Sequence, residues 1–158
     1  MKLSLKNLMG VICFCLAFLM ALSVLTQADE KRVKMKNLPK AVQQTIAEQS
    51  KGATVIELSQ EKEHGQIFYE VGMKIDGHHK DVLIDANGAV VEIEEEVALD
   101  SLPSAVKSEI EKQAGRGKIV MVESITKNGQ LVAYEAHIKS GKKSQEFKVD
   151  TNGQIIKE

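Results

Sequence analysis

The sequence has no tryptophan, two cysteines and few other aromatic residues. Both cysteines, Cys13 and Cys15, lie in an apolar segment at the start of the chain. The rest of the chain therefore has no thiol for a disulfide bond, a covalent nucleophile or a cysteine-ligated metal. Beyond residue 28 the aromatic side chains are Phe68, Tyr69, Tyr134 and Phe147.

An excess of positive charge is also missing. Residues 1–28 carry two lysines and no acidic residue, which leaves 19 basic and 22 acidic residues in the remainder, a net charge of −3. This balance does not suit a nucleic-acid-binding domain, which needs a basic surface to meet the phosphates. The chain has no Gly-x-Ser-x-Gly motif and no convergent spacing of His, Asp and Ser. We therefore predict a protein that is not an enzyme and that needs no cofactor.

Residues 1–28 have the pattern of a secretory signal peptide. Lys2 and Lys6 form a basic start, residues 8–25 are apolar, and Thr26-Gln27-Ala28 ends in a small residue that suits cleavage. We predict an exported protein, periplasmic or secreted, with no membrane attachment after cleavage. Because the apolar run approaches the length of a membrane span, retention as an uncleaved anchor is the alternative.

Residues 66–95 predict three antiparallel strands. Apolar and polar residues alternate from Ile67 to Ile75, which is the period of a strand with one buried face. Asp76-Gly77 and Asn87-Gly88 supply hairpin turns, because glycine adopts a positive φ without a Cβ clash. The Asp-x-Asn-Gly motif that starts at Asp85 also resembles the start of a calcium loop. Its position between two strands favours the hairpin turn.

Residues 130–157 repeat this stretch. The pair Tyr134-Glu135 matches Tyr69-Glu70, and the Asp-x-Asn-Gly motif recurs at Asp150. Upstream, Leu102-Pro103 matches Leu38-Pro39, and a helical spacing of apolar residues follows each pair. The offset between the copies is 64 or 65 residues. Two copies of this length indicate a duplicated small domain rather than a solenoid.

The order of these elements predicts an α+β fold of two tandem repeats, each with one helix packed on a four-stranded antiparallel meander sheet. Helices are predicted at residues 38–51 and 102–114. Each repeat is small for a stable core, so we expect the two to share an interface, whether or not their sheets join. The predicted divisions are a signal peptide (1–28), a mobile leader (29–37), repeat 1 (38–96), a connector (97–101) and repeat 2 (102–158).

These motifs resemble the PepSY and PepSY-like domains. The resemblance rests on the Leu-Pro-x-x-Val helix start, the Tyr69-Glu70-Val71 strand and the run from Val82 to Val91, and it covers residues 38–158 in two copies. The duplicated helix-plus-sheet plan is similar to that of β-lactamase inhibitory proteins. The resemblance implies an exported, non-catalytic module that inhibits or regulates a peptidase or another envelope enzyme. Repeat 2 departs from the pattern at Ala136 and Lys148.

One face of each predicted sheet, the face that carries Tyr69, is expected to pack on the helix. The other face is the candidate binding surface, because an apolar cluster rimmed by charge is typical of protein interfaces. Its predicted residues in repeat 1 are Phe68, Glu70, Lys74, Leu83 and Val90. The matching residues in repeat 2 are Ala133, Glu135, His137, Lys139, Lys148 and Ile155. Packing of the two repeats against each other through this face is an equally good interpretation.

Two charged stretches receive no functional role from the sequence. His78-His79 lies beside Asp76 and Asp81, but repeat 2 has lysines in place of the histidines, and a metal site needs three or four converging ligands. We therefore predict a polar turn there and no metal ligands in the chain. The acidic run of Glu92 and residues 94–96 is interpreted as solvated, so no raised pKa is expected for Glu94.

The predicted function is that of a protein-binding module, which occupies an envelope enzyme or peptidase sterically and performs no chemistry. The alternative is a periplasmic protein that binds a small ligand or a metal ion in a cleft between the repeats. Saturable thermal stabilisation by such a ligand would favour the alternative.

Overall fold

A Leu-Pro pair precedes each helix in the computed structural model, which describes residues 31–63 and 65–157. Pro39 and Pro103 are the N-cap residues, with ψ angles of 144° and 140° that lie outside the helical range. The helices therefore begin directly after the prolines, slightly later than predicted, and span Lys40–Gln49 (α1) and Ser104–Ala114 (α2). Short 3-10 helices precede them, at Met35–Asn37 and Leu99–Ser101.

Nine antiparallel strands of the described residues form one sheet, in the order of the chain. Their bounds are Lys31–Arg32 (β1), Thr54–Glu63 (β2), Gln66–Ile75 (β3), His78–Asp85 (β4), Val90–Glu96 (β5), Lys118–Lys127 (β6), Gln130–Ser140 (β7), Lys143–Asp150 (β8) and Ile155–Ile156 (β9). The α+β class is confirmed. A separate four-stranded sheet for each repeat is not confirmed, because β5 pairs with β6 and joins the repeats edge to edge.

Each helix covers its own core on this sheet. Val42 and Ile46 of α1 pack on side chains of β3 and β4, which are Tyr69, Val71, Met73, Val82 and Ile84. Val106 and Ile110 of α2 pack on side chains of β6 to β8, which are Val122, Tyr134, Ala136, Ile138 and Val149. The sheet therefore carries two hydrophobic cores, one for each repeat.

Both helices lie on the same face of the sheet. Directly paired residues point to the same side of a sheet. Successive pairs run from one core to the other through Met73, Lys80, Glu95, Ser124 and Tyr134. The interpretation that the repeats pack against each other through the opposite face is wrong, because they are joined edge to edge.

The face without helices is called the open face below. It consists of the residues that alternate with the core positions, and neither described helix covers it. On the central strands these residues are Phe68 and Glu70 (β3), Asp81 and Leu83 (β4), Glu92 and Glu94 (β5), Glu123 and Ile125 (β6), Glu135 and His137 (β7), and Lys148 (β8). Acidic side chains outnumber basic ones among them.

Part of the predicted leader belongs to the fold. β1 pairs with β2, and the Val33 amide donates a hydrogen bond to the Leu58 carbonyl over 3.0 Å. Val33 and Met35 pack against the core of repeat 1, so residues 31–37 are not a mobile tail. The predicted signal peptide lies outside the described residues. Within the described ranges, no helix has the length and apolar character needed to cross a membrane.

The Asp-x-Asn-Gly motifs form turns held by their own aspartates. Asp85 Oδ1 accepts hydrogen bonds from the amides of Asn87 and Ala89, both over 2.8 Å. Asp150 Oδ1 accepts the corresponding bonds from amides of repeat 2, over 2.9 and 2.8 Å. These bonds lower the pKa of both aspartates. The oxygen that would start a calcium loop is thus engaged by the turn itself.

The glycine of each turn touches the neighbouring helix. Gly88 has a φ of 89°, and a Cβ built on it would lie 2.9 Å from the carbonyl carbon of Ala41 in α1. The Thr45 hydroxyl donates a hydrogen bond to the Gly88 carbonyl over 2.6 Å. A Cβ on Gly153 would lie 2.8 Å from the Ala105 carbonyl oxygen in α2. Only glycine allows both the turn angle and this close approach.

Candidate functional site

The open face carries most of the residues predicted for partner binding. They are Phe68, Glu70, Lys74, Leu83, Glu135, His137 and Lys139. Lys74 and Lys139 are exposed, and the others are half-buried. Their placement on one continuous face agrees with the prediction, whereas their role in binding stays a prediction.

The predicted orientation of Val90 is wrong. Val90 pairs with Ile84 and packs against the core of repeat 1, because a bulge in the pairing of β4 with β5 shifts the alternation by one residue. Its neighbour Val91 contributes to the open face instead. Ile155, the counterpart in repeat 2, pairs with the core residue Val149 and packs against the second core.

A cleft of about 580 Å³ opens on the part of this face that belongs mainly to repeat 1. Phe68, Leu83 and Val91 contribute apolar surface to its lining, and the charged lining residues include Asp85, Glu92 and Lys127. The Lys127 ammonium lies 3.0 Å from a carboxylate oxygen of Glu92. Lys127 belongs to β6, so the cleft extends across the junction between the repeats.

Carboxylates are crowded on the open face where the repeats join. Glu94 of β5 is the direct partner of Asp81 on β4 and of Ile125 on β6. Burial, reinforced by the charges of Glu135 and Glu92, raises the pKa of Glu94 to about 7. Burial also raises the pKa of Asp81 and that of Glu135. The expectation of an ordinary solvated carboxylate at Glu94 is wrong, because β5 is the middle strand of the joined sheet.

Beside this group lies a cluster of Glu123, Glu135 and His137. The Glu123 side chain is buried, and its Oε2 lies 2.8 Å from His137 Nε2. The other ring nitrogen, Nδ1, lies 3.2 Å from Glu146 Oε1. Burial opposes the charged imidazolium, but the hydrogen bond and charge of Glu123 outweigh it, and the pKa of His137 is raised.

This cluster brings potential metal ligands together. One ligand atom from each of Glu123, Glu135 and His137 lies within 4.8 Å of the others, and it is the one group of three such residues within the described ranges. Asp76, Asp81, His78 and His79 do not form such a group.

The alternation of residues in the sequence predicts Glu135 and His137 on this face, but it does not indicate that Glu123 lies beside them. The spacing of Glu135 and His137 by two residues in a strand is a signal that both point the same way. The position of Glu123 depends on the pairing of β6 with β7, which has two register shifts. The alternation of residues along a strand does not predict the register between two strands when bulges shift their pairing.

The fold and the open face define a class of protein: a duplicated α+β module with helices on one face of its sheet and an acidic, partly apolar surface on the other. The chain belongs to the PepSY-like family. The family described as "Putative beta-lactamase-inhibitor-like, PepSY-like" matches residues 24–91 and, a second time, residues 69–157. The resemblance noted in the sequence is thus confirmed. A comparison with curated proteins finds no significant match.

Solved structures share this fold. A BLIP-like protein from Bacteroides fragilis is 20% identical, with 76% of this chain and 84% of that chain covered and a TM-score of 0.53. A DUF2874 family protein from Bacteroides ovatus is 17% identical, with 76% and 85% covered and a TM-score of 0.57. A "putative periplasmic" protein from Bacteroides eggerthii is 13% identical, with 76% and 86% covered and a TM-score of 0.60.

Proposed function

We propose that this chain is an exported, non-catalytic protein-binding module that inhibits or modulates an envelope enzyme or a peptidase by occupying it sterically. Three features support the proposal: the PepSY-like family, the fold shared with a BLIP-like protein, and the signal-like residues 1–28. The description of the Bacteroides eggerthii protein supports a periplasmic location. Residues 38–96 and 102–158 are the two repeats of the proposed module.

The observation that carries the proposal is the cleft on the open face. Phe68 and Leu83 offer apolar surface that the described helices do not cover. A buried apolar or aromatic anchor is the usual energetic centre of a protein interface. The cleft is therefore suited to receive an apolar side chain from a partner.

Charge defines the partner further. Asp85 and Glu92 line the cleft, and Lys127 is already close to Glu92, so the lining has a net negative charge. We infer a partner segment that presents an apolar side chain beside a lysine or arginine. Charge complementarity of this kind orients a partner and speeds its association.

The proposed surface extends over both repeats. Glu70 and Lys74 follow the cleft residue Phe68 on the same face of β3, and repeat 2 contributes Glu135, His137 and Lys139 to this face. Because β5 and β6 join the two parts into one sheet, a partner that covers the face contacts both repeats.

Phe68→Asp tests this surface. Wild-type protein, purified in its exported form, is used to capture partners from an envelope extract. Each captured enzyme is then purified, and its activity is measured with and without the protein. The control is Val120→Asp, which places the same charge on a residue that is 50% exposed and does not line the cleft, since it lies near the start of β6 while the cleft residue Lys127 ends that strand. Circular dichroism and thermal unfolding establish that both variants fold.

We expect wild type and Val120→Asp to bind the captured enzyme and lower its activity, and Phe68→Asp to do neither. Binding is expected to weaken as salt is added, because the cleft is acidic. An enzyme that binds wild type and Phe68→Asp equally well would show that the cleft is not the binding surface. A captured enzyme whose activity is unchanged would contradict the inhibitory role.

A further inference from the structure

We propose that Glu123, Glu135 and His137 form a binding site for a divalent transition-metal ion, with Zn²⁺ as the representative ion. The site lies on the open face within repeat 2. It does not depend on the identity of a protein partner.

The three side chains are held by two adjacent strands. Glu123 on β6 and Glu135 on β7 are direct cross-strand partners, and His137 follows two residues later on the same face of β7. One ligand atom of each lies within 4.8 Å of the others. Tetrahedral Zn²⁺ holds its ligand atoms roughly 3.3 Å apart. Rotation of side chains therefore closes the cluster around an ion, and no loop has to become ordered.

Glu123 distinguishes this cluster from a solvated acidic patch. Its side chain is 3% exposed, and its Oε1 has no hydrogen-bond partner within the described ranges. A buried oxygen without a partner destabilises a fold, because it loses water and gains nothing in return. A bound cation would supply the missing interaction. The same ion would also offset the repulsion between the carboxylates of Glu123 and Glu135.

Repeat 1 shows what this position looks like without the ligands. Ser59, Glu70 and Gly72 occupy the places of the three ligand residues. Ser59 is 1% exposed, so an uncharged residue fills the buried position that Glu123 occupies in repeat 2, although the Ser59 hydroxyl also has no hydrogen-bond partner among the described residues. The fold therefore does not require a buried carboxylate here. Its presence in one repeat alone favours a function specific to repeat 2.

Glu146 contacts the ring nitrogen of His137 that faces away from Glu123. Nδ1 of His137 lies 3.2 Å from Glu146 Oε1, while Nε2 faces Glu123. On metal binding, Nε2 gives up its proton to solvent and takes the ion, and Nδ1–H donates to Glu146. A carboxylate behind the imidazole in this way is the usual arrangement of metal-bound histidines.

The surrounding charges are mixed. Lys148 is the cross-strand partner of Glu135 and opposes a cation. The carboxylates of Glu94 and Asp81 favour a cation, since each is close enough to interact electrostatically with a ligand residue. Together with Glu146 they leave the site negative.

The ligand set selects the class of ion. An imidazole nitrogen with two carboxylates suits Zn²⁺ and neighbouring transition metals. Ca²⁺ takes six to eight oxygen ligands, which this cluster does not provide. Three protein ligands leave a coordination position for water.

The test is calorimetric titration of Zn²⁺ into chelator-treated protein, purified as the cell exports it, with Ca²⁺ titrated in parallel. Visible absorption of added Co²⁺ reports the ligand geometry. The variants are Glu123→Ser, which copies repeat 1, and His137→Gln, which keeps a hydrogen-bonding side chain. Glu95→Gln, on the helix-bearing face, is the control.

We expect one Zn²⁺ per chain in wild type and in Glu95→Gln, and loss of at least about 100-fold in affinity in the ligand variants. Glu146→Gln is expected to weaken binding about 10- to 100-fold. Absence of saturable Zn²⁺ binding, or equal binding by His137→Gln, would overturn the site. Preferential Ca²⁺ binding that survives His137→Gln would overturn the class of ion. If Glu123→Ser fails to fold, His137→Gln decides the question.

Discussion

Glu94→Gln is expected to reduce the pH dependence of stability between about pH 4.5 and pH 7. The pKa of Glu94 is raised from 4.5 to about 7 in the folded protein, chiefly by burial. In this window the folded state holds a proton that the unfolded state has lost. The free energy of unfolding therefore decreases as the pH rises through the window, and glutamine, which does not titrate, removes that contribution.

The size of the effect follows from the difference between the ordinary pKa of Glu94 and its pKa in the folded protein. A rise from 4.5 to about 7 corresponds to about 3.4 kcal/mol, at about 1.36 kcal/mol per pH unit. Glu94 is only half-buried, and solvent screening reduces the contribution. We expect wild type to lose about 1 to 2 kcal/mol through this group between pH 5 and pH 7.5.

Urea denaturation at both pH values, in buffer with a chelator, measures this loss. Glu94→Gln should lose less than wild type. A smaller dependence remains in the variant, because the pKa values of Asp81 and Glu135 are raised in the same direction. Glu95→Gln, on the opposite face, should behave as wild type. If Glu94→Gln loses as much stability as wild type over this range, Glu94 is not the buried titrating group described above.

Three further tests of the packing use urea denaturation to compare the free energy of unfolding of variants with that of wild type. Gly88→Ala should lower the free energy of unfolding by about 2 to 4 kcal/mol, because the new Cβ strains the positive φ and meets α1. Gly77→Ala, whose Cβ would meet open space, should lower it by about 1 kcal/mol. Equal losses would contradict the close approach of Gly88 to α1. Ile110→Ala should cost about 2 to 5 kcal/mol in a single transition, and two separate transitions would contradict a shared sheet. Thr45→Val should cost about 1 kcal/mol by removing the hydrogen bond to Gly88, and no loss would contradict that bond.

Local sequence patterns were sufficient to predict the individual strands and turns. The alternation from Gln66 to Ile75 predicted β3, and the Asp-Gly and Asn-Gly pairs predicted its neighbouring turns. These features depend on the residues of one short segment, such as the positive φ of 90° at Gly77. The duplication was visible for the same reason, since each copy repeats its local signals.

Features that depend on pairing between distant segments were not predictable in this way. The bulge that turns Val90 inward arises from the pairing of β4 with β5. The burial of Glu94 follows from the attachment of β6 to β5, which no residue in the acidic run indicates. Glu123 became part of a cluster only through the register of β6 against β7. The apolar half of the candidate surface, Phe68 and Leu83, was predictable because no register shift separates them.

The unit that was duplicated in the sequence is not a unit that can be separated in the folded protein. Cutting the chain at residues 97–101 would expose the backbone donors and acceptors of β5 and β6 along the five pairs from Glu92–Lys127 to Glu96–Glu123. Such bare edges pair with any compatible strand, including a second copy of the same half. Either half made alone is therefore expected to self-associate. Each repeat therefore depends on the other for its fold. Their surface residues can nevertheless differ, as Ser59 in repeat 1 and Glu123 in repeat 2 do.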